Sequence, residues 1–494
     1  MIKRYKSSKH FLKIVSLFLL VSMFAGLISC KTPDVPTDKN ESDTLTKNFG
    51  STESVTSIDD IYPYPEHNFG GAVIKVLARN DGYGGQDYED ILVEEMNGEV
   101  LNDAVYKRTA TVEEKYNVKL EITYDKDPSI LTSKNVMAGE DAYQFLQEKL
   151  IKLQPLAVQN NLIDFNIIAA ITLEAPWYNQ NMIKDLAINK KVTALGGDMT
   201  VSDKSGVMVT VFNKKMVVEN GMEDMYQIVR GGKWTLDKLH ELIKITSKDL
   251  NGDGKMTLKD DRWGFMAENL VDWTLLTGSG NRLAALDENG IPYITAKTPK
   301  FLSDLDRILD IMYDKKSRVK SELIEDYYNV FMDNRNFLQI NAMSTIFMMR
   351  GMENDFGIIP IPKLDEQQPD YITTMSPFVS RFIAVPSTCQ EVEMTGAVID
   401  AMARESANTV MPAYYGNLLN NKIARDEESV EMLKIIFDSV IYDIGAVYNW
   451  GNLWLMHQQF IDSGSRDYVS FFEKHEPEIQ KALDDTINEM LNHN

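Results

Sequence analysis

Between Gly70 and Ile122 the sequence passes from a β-rich run to a helical stretch and into a second strand-like run, and this order constrains the fold most. Ala72-Val73-Ile74-Lys75-Val76-Leu77 is bounded by Gly70-Gly71 and by Arg79-Asn80-Asp81-Gly82, the punctuation of a short strand. From about 101 to 116, Val105, Val112 and Tyr116 are among the apolar positions of a helix that Asn117 ends, and Val118-Lys119-Leu120-Glu121-Ile122 then alternates as a strand does. Strand, helix and strand in this order predict an α/β domain with a largely parallel sheet, because parallel neighbours need a crossover connection. The alternation returns downstream, with a continuous apolar strand at 207–212, a helix at 235–246 and a strand at 263–266. Thr235 is placed to cap that helix, and Asp237 sits in its first turn, at the positive end of the helix dipole. Residues 301–314 read as an amphipathic helix, and helices at 391–406, 429–442 and 467–491 dominate the last hundred residues.

A chain of 494 residues with 44% hydrophobic side chains fills two or three domains, or one large two-lobed unit. Asp and Glu number 73 against 51 Lys and Arg, for a formal charge of -22, which argues against nucleic acid as a partner, since phosphate contacts need clustered cations. Two cysteines, Cys30 and Cys389, exclude a disulfide framework, a Cys-rich zinc site and an iron–sulfur cluster, and the six histidines lack the close spacing of a metal-binding helix. Cys389, after a strand-like run, reads as a small buried residue. No Gly-x-Ser-x-Gly elbow, phosphate loop or dinucleotide fingerprint is present, so the chain reads as a binding protein and not an enzyme.

The N-terminus supplies an address. Lys3, Arg4, Lys6, Lys9 and Lys13 precede an apolar run from Ile14 to Phe24, which falls well short of the roughly 20 residues of a membrane span. A basic region followed by a short apolar region is a secretory signal. The run closes on Leu27-Ile28-Ser29-Cys30, which resembles the bacterial lipobox and marks Cys30 for lipid modification. Residues 1–29 are then a signal peptide. Residues 30–61, polar and poor in large apolar side chains, form a tether that holds an extracytoplasmic domain to the cell membrane.

Several ordered segments resemble the extracellular solute-binding proteins of bacterial ABC importers, in the sugar-binding branch that includes the maltose-binding protein. They are Val209-Thr210-Val211-Phe212-Asn213-Lys214-Lys215, then Gly232-Lys233-Trp234-Thr235 with Asp237 and Leu239, then Phe356-Gly357-Ile358-Ile359-Pro360-Ile361-Pro362-Lys363, then Phe382-Ile383-Ala384-Val385-Pro386-Ser387-Thr388. The match runs from about 70 to 460 in the family's order. The resemblance implies a two-lobed, periplasmic-binding-protein-like (class II) α/β fold with a hinge, one lobe at 62–197 plus 361–410 and the other at 198–360 plus 411–494. It also implies a carbohydrate, most simply an oligosaccharide, held between the lobes by a monomer and delivered to membrane permease subunits. The rival readings are a surface glycan-degrading lipoprotein and a sensory ligand-binding lipoprotein.

A sugar presents apolar C–H faces and a girdle of hydroxyls, so its site needs flat rings and polar side chains. All six tryptophans follow residue 170. Trp234 and Trp263 read as core. Trp273, in a polar setting with Asn269 and Asp272, and the pair Trp450 and Trp454 are the candidate platforms, at positions where the resemblance implies cleft aromatics. Trp177 and Tyr414 follow prolines in connections and either pack those connections or face the ligand. Arg350 either donates a bidentate pair of hydrogen bonds to the ligand or forms a salt bridge with Glu353 or Asp355. Separately, Asp249, Asn251, Asp253, Lys255, Thr257 and Asp260 fall at positions 1, 3, 5, 7, 9 and 12 of a calcium loop, with Gly254 at the sharp turn. Asp260 stands where a longer Glu is usual. A calcium ion there would pin the helix that ends near 248 to the strand at 263.

Overall fold

The computed structural model describes residues 61–80, 90–268, 270–420 and 423–492. The signal peptide, Cys30, nearly all of the tether and Asn269 lie outside the described residues. No helix among the described residues is long and apolar enough to cross a membrane.

The first sheet begins with β1 (Ala72–Arg79), α1 (Val100–Tyr116), β2 (Val118–Asp125), α2 (Pro128–Ala138), β3 (Phe145–Lys149) and α3 (Leu150–Val158). β1 pairs in parallel with both β2 and β3, as the strand–helix–strand order requires. The chain then leaves to build a second sheet from β4 (Met208–Asn213), β5 (Trp263–Met266), β6 (Arg318–Val319), β7 (Asn336–Ala342) and β8 (Phe356–Ile359), and returns as β9 (Arg381–Ala384). The sheet orders are β9-β3-β1-β2 and β8-β4-β7-β5-β6. Each lobe is therefore an α/β layer around one sheet, and the first sheet is completed by a strand that arrives some 230 residues after β3.

The expectation of largely parallel sheets needs two corrections. In the first sheet β9, returning from the second lobe, runs antiparallel to β3. β4 runs antiparallel to both of its neighbours, β7 and β8. It enters directly from the first lobe, whereas β5, β6 and β7 are linked by crossovers inside the second lobe and run parallel to each other. The direction of β4 is fixed by where the chain crosses, which local sequence does not encode.

Within the second lobe, α4 (Leu236–Thr246) starts where the sequence predicts, with the Thr235 hydroxyl accepting the Lys238 amide at 3.3 Å. It buries Leu236, Leu239, Leu242 and Ile243 on one face. A Cβ on Gly264 of β5 would lie 1.9 Å from the Ile243 carbonyl oxygen, so this glycine lets α4 press directly on the strand.

Two lobe boundaries also shift. Residues 361–374 stay on the second lobe rather than opening the return to the first. Trp234 Nε1 donates to the Pro360 carbonyl at 2.8 Å, Lys363 and the 234–236 segment exchange backbone hydrogen bonds, and Gln368 Nε2 donates to the Gly278 carbonyl. The chain re-enters the first lobe through 375–380. Later, α6 (Val392–Asn408) and α7 (Val410–Asn420) both pack against α1 of the first lobe, so the last crossing follows α7 and precedes α8 (Glu427–Asp438), which packs on β8. The crossing expected near Pro360 does not occur there, and Pro412, expected in a connection, lies in the first turn of α7. One core cluster fills each lobe, and a third, containing Leu77, Leu146, Val209, Phe356 and Met375, runs through the join.

Candidate functional site

The two sheets aim the same kind of edge at each other. Arg79 ends β1, Lys149 ends β3, Asn341 and Ala342 end β7, Glu268 follows β5, and Met208 opens the reversed strand β4. All of them line one cavity of about 650 Å³. This is the carboxyl edge of parallel strands, where α/β sheets bind ligands, and the volume lies in the range of small-molecule sites.

The aromatic wall comes from the second lobe and the connection. α5 (Val271–Gly278) carries Trp273, whose indole meets Trp454 edge to face with centroids 5.3 Å apart. Phe378, on the 375–380 crossing, stacks on Trp454 at 4.9 Å and 26° and is the partly exposed ring of the three. Trp273 is anchored from behind. Its Nε1 donates to Asp443 Oδ2 at 3.0 Å, and Asp443 also accepts the amides of Leu283, Ala284 and Gly445. Three residues of this lining carry buried polar atoms without a partner among the described residues: Thr274 Oγ1, Asn341 Nδ2 and Trp454 Nε1. Buried polar atoms are nearly always satisfied in folded proteins, so such atoms at a cavity wall suit a hydroxyl-bearing occupant.

The charged lining is divided by lobe. Arg79 Nη1 bonds both oxygens of buried Glu148, at 2.9 and 3.1 Å, which fixes the guanidinium at the first-lobe wall. Lys149 and Lys152 stand beside it. Glu268, on the opposite wall, has its carboxyl pushed up by burial, with Lys320 opposing.

Of the residues singled out from sequence, Trp273 and Trp454 meet at this cavity. The other candidates among the described residues do not line it. Trp450 is buried, donates from Nε1 to Thr486 Oγ1 at 2.9 Å and stacks on Tyr448, which fastens the C-terminal helix α10 (Tyr468–Asn492), α9 being the short helix Ile444–Tyr448. Asp272 is fully buried behind Trp273, bonded to His457 Nδ1 at 2.9 Å. Trp177 is first-lobe core, its Nε1 on Asp400 Oδ1 at 3.1 Å. Tyr414 is core at the join. Arg350 is exposed, away from the cavity lining, and its carbonyl accepts Arg425. Asp355 bonds Arg425 instead of Arg350. Each was chosen for its type and polar neighbours, which also describe a ring that caps a core and bonds a buried acceptor. Phe378, Arg79, Lys149 and Asn341 escaped the sequence reading. The available signal was a charge or amide ending an apolar strand, and an aromatic between Pro377 and Ser380 just before β9.

The 249–261 loop lies before β5, at the end of that strand away from the cavity. Asp249 accepts the amides of Gly252 and Gly254, Asn251 accepts Asp253, and Asp253 accepts Lys255. Gly252 and Gly254 take positive φ of 74° and 78°, which the winding requires. Thr257 donates from its hydroxyl to Asp260 at 3.3 Å. The carboxylate turned inward is Asp261, which is buried and accepts the amides of Leu250 and Thr257. Among the described residues no three His, Cys, Asp or Glu side chains converge as a metal cluster. The loop's donor set of carboxylates, an amide oxygen, a hydroxyl and carbonyls is the hard-oxygen type that suits calcium.

No protein-family model and no curated protein matches the sequence. Solved structures do. A cyclo/maltodextrin-binding protein complexed with maltotetraose aligns with a TM-score of 0.55 at 11% identity, over 86% of this chain and 98% of its own. RafE from Streptococcus pneumoniae, in its apo form, aligns at 0.53 and 15% identity, over 85% and 97%. The chain has the two-lobed fold of the periplasmic binding proteins. A sugar transporter from Rhizobium etli, in an open conformation, aligns at 0.53 and 14% identity, over 85% and 99%. These matches agree with the α/β, class II expectation, and in a periplasmic-binding-protein fold the cavity between the sheets is the inter-lobe cleft.

Proposed function

We propose that this chain is the substrate-binding component of an ABC importer, a binding protein without catalytic turnover that captures an oligosaccharide and presents it to permease subunits. The observation that carries the reading is the inter-lobe cavity, with an aromatic wall of Trp273, Trp454 and Phe378 beside the unpartnered polar atoms of Thr274 and Asn341. Rings cover the sugar's C–H faces and the polar atoms meet its hydroxyls. Because the walls belong to both lobes, ligand makes its full set of contacts only when they close, and binding shifts the population toward the closed form. The glycan-degrading alternative needs two carboxylates flanking the bond to be cut. Among the described residues lining the cavity Glu268 is the one carboxylate. A thermal-shift and calorimetric screen of maltotetraose and other oligosaccharides tests the reading. A true ligand at 100 times its Kd stabilises the protein by about 2.7 kcal/mol through mass action, and no product forms on long incubation. A saccharide that is cleaved, or a full panel that leaves melting unchanged, refutes it.

The mature protein is further proposed to be held at the extracytoplasmic face of the cell membrane through lipid on Cys30. Cys30→Ala is expected to move it from the membrane fraction to the medium, or to leave it unprocessed, because the apolar run before it is too short to anchor the chain. Normal processing with full membrane retention would remove the lipid anchor.

Calcium is proposed to bind the 249–260 loop, held by Asp249, Asn251, Asp253, Thr257, Asp260 and the Lys255 carbonyl, with Asp261 bracing the loop from inside. Addition of calcium at several millimolar should raise the melting temperature, since extracellular sites bind in the range of about 0.1–1 mM. Asp249→Ala should abolish that response. Unchanged melting and unchanged proteolysis of the 245–262 segment at saturating calcium would leave the loop a plain turn.

A further inference from the structure

We infer that the saccharide taken by this cleft carries an apolar substituent, an alkyl or aryl group attached to the sugar, that lies against Ile151, Met208, Leu270, Ile324, Val379 and Leu455. The inference deepens the sugar-binding reading above and rests on it. Its basis is what the cavity offers an occupant. All six side chains line the cavity, and each is at least partly exposed. Ile151 comes from α3 of the first lobe, Met208 from β4, Val379 from the 375–380 crossing, and Leu270, Ile324 and Leu455 from the second lobe. The two tryptophans of the wall are nearly buried, Trp273 being 2% and Trp454 5% exposed, which leaves Phe378 as the accessible ring. An apolar side chain gives a sugar hydroxyl no partner, and a hydroxyl stripped of water without one carries an unfavourable desolvation term. A ligand of hydroxyls alone would close the lobes with hydroxyls against these six groups. A ligand with an apolar substituent buries it there, while its sugar meets Phe378 and the polar atoms of Thr274, Asn341 and Trp454 that lack a partner among the described residues.

Local sequence breaks a rule at the same place. The helix Ile324–Met332 begins at the cavity with Leu323 as its N-cap residue, and no side chain there accepts from the first turn. Ser, Thr, Asp or Asn is preferred at that position, because its oxygen bonds an amide that the helix leaves free. α4 and α8 follow the preference with Thr235 and Asp426. Leu323 and Ile324 are 61% and 53% exposed, and they are the one consecutive pair among the exposed large apolar side chains of the described residues. Single exposed apolar residues are ordinary, whereas contiguous ones mark a surface that something covers. Ile324 is itself part of the cavity lining, so the occupant of the cavity is what covers it. Departures from local preference of this kind are expected where a site requires them.

The test titrates the full-length protein calorimetrically with the methyl, butyl and phenyl glycosides of maltose and of cellobiose, and with 1-butanol alone. For at least one sugar, the butyl or phenyl form is expected to bind roughly tenfold or more tightly than the methyl form, with a more negative heat-capacity change, the mark of apolar burial. Which of the two leads distinguishes an alkyl from an aryl group. Ile324→Ser should lower affinity for the favoured form severalfold more than for the methyl form. Leu323→Ser combined with Ile324→Ser supplies the missing helix cap, which keeps the helix in place, and should narrow the preference at least as far. Butyl and phenyl forms that bind no more tightly than the methyl form, or variants that weaken all three equally, overturn the inference and leave the sugar reading standing. Binding of 1-butanol as tight as that of its glycosides would assign the cavity to an apolar ligand and refute both. If no glycoside binds, the sugar reading fails and the inference falls with it.

Discussion

Phe378→Ala is expected to lower affinity for a verified saccharide by roughly 30- to 1,000-fold, corresponding to about 2–4 kcal/mol, with little loss of stability. The ring is partly exposed, stacks on Trp454 with centroids 4.9 Å apart, and rides on the 375–380 crossing between the lobes. It therefore presents contact area to ligand without being held deep in either core. Trp454→Ala should cost comparable affinity and also some stability, because that ring supports both Phe378 and Trp273. Trp450→Ala should behave in the opposite way. Its indole is buried and bonded to Thr486 on α10, so its removal should cost about 3–5 kcal/mol of stability and spare binding in the protein that remains folded. Calorimetry and melting on the three variants decide the matter. Full affinity in Phe378→Ala would move the site away from this wall.

Asp443→Ala is expected to destabilise the second lobe by about 3–5 kcal/mol and to weaken binding as well. One buried carboxylate there accepts four donors, the Trp273 indole and the amides of Leu283, Ala284 and Gly445. Alanine leaves all four facing no acceptor, and buried unpaired donors carry their full desolvation cost. It also removes the cap of α9. The binding loss follows because Trp273 is then no longer held edge-on to Trp454. Asp443→Asn, which keeps an acceptor oxygen, should recover part of both effects. Wild-type melting in Asp443→Ala, measured by chemical denaturation, would show that the network is not what holds the ring.

The local sequence made the elements legible. The strand read at 72–77 extends to Arg79, the helix read at 235–246 carries its Thr235 cap, and the helices read at 301–314 and 467–491 are Pro299–Met312 and Tyr468–Asn492. Apolar periodicity reports which face of an element is buried, and caps and breakers report where it ends, so these features survive in a single chain. The two extra residues of β1 mattered, because they carry Arg79 to the cavity.

The site was only half legible. Trp273 and Trp454 border the cavity from the second-lobe core, yet Trp450, Trp177 and Tyr414 share their composition and their burial and do not reach it. A large ring with a polar atom fits a ligand platform and a core cap equally well, and what separates them is which partner the fold brings opposite. For Trp450 it brings Thr486, 36 residues on, and for Trp177 it brings Asp400, 223 residues on. Phe378 shows the converse, an unremarkable aromatic in a connection that acquires its role because the crossing passes over Trp454.

By itself, then, the sequence determined the α/β class, the two-lobed expectation and the position of most helices and strands, because those follow from local pattern and from the ordered segments at 209–215, 232–239, 356–363 and 382–388. Only the tertiary structure decided that 361–374 remains on the second lobe, that α7 remains on the first, that β4 runs against its neighbours, and that Arg79, Lys149, Lys152 and Phe378 face the same cavity as Trp273. Strand direction, lobe membership and the walls of a cleft are set by contacts between segments as much as three hundred residues apart, as when Arg108 bonds Ser406, and such contacts leave no periodic trace in the chain that makes them.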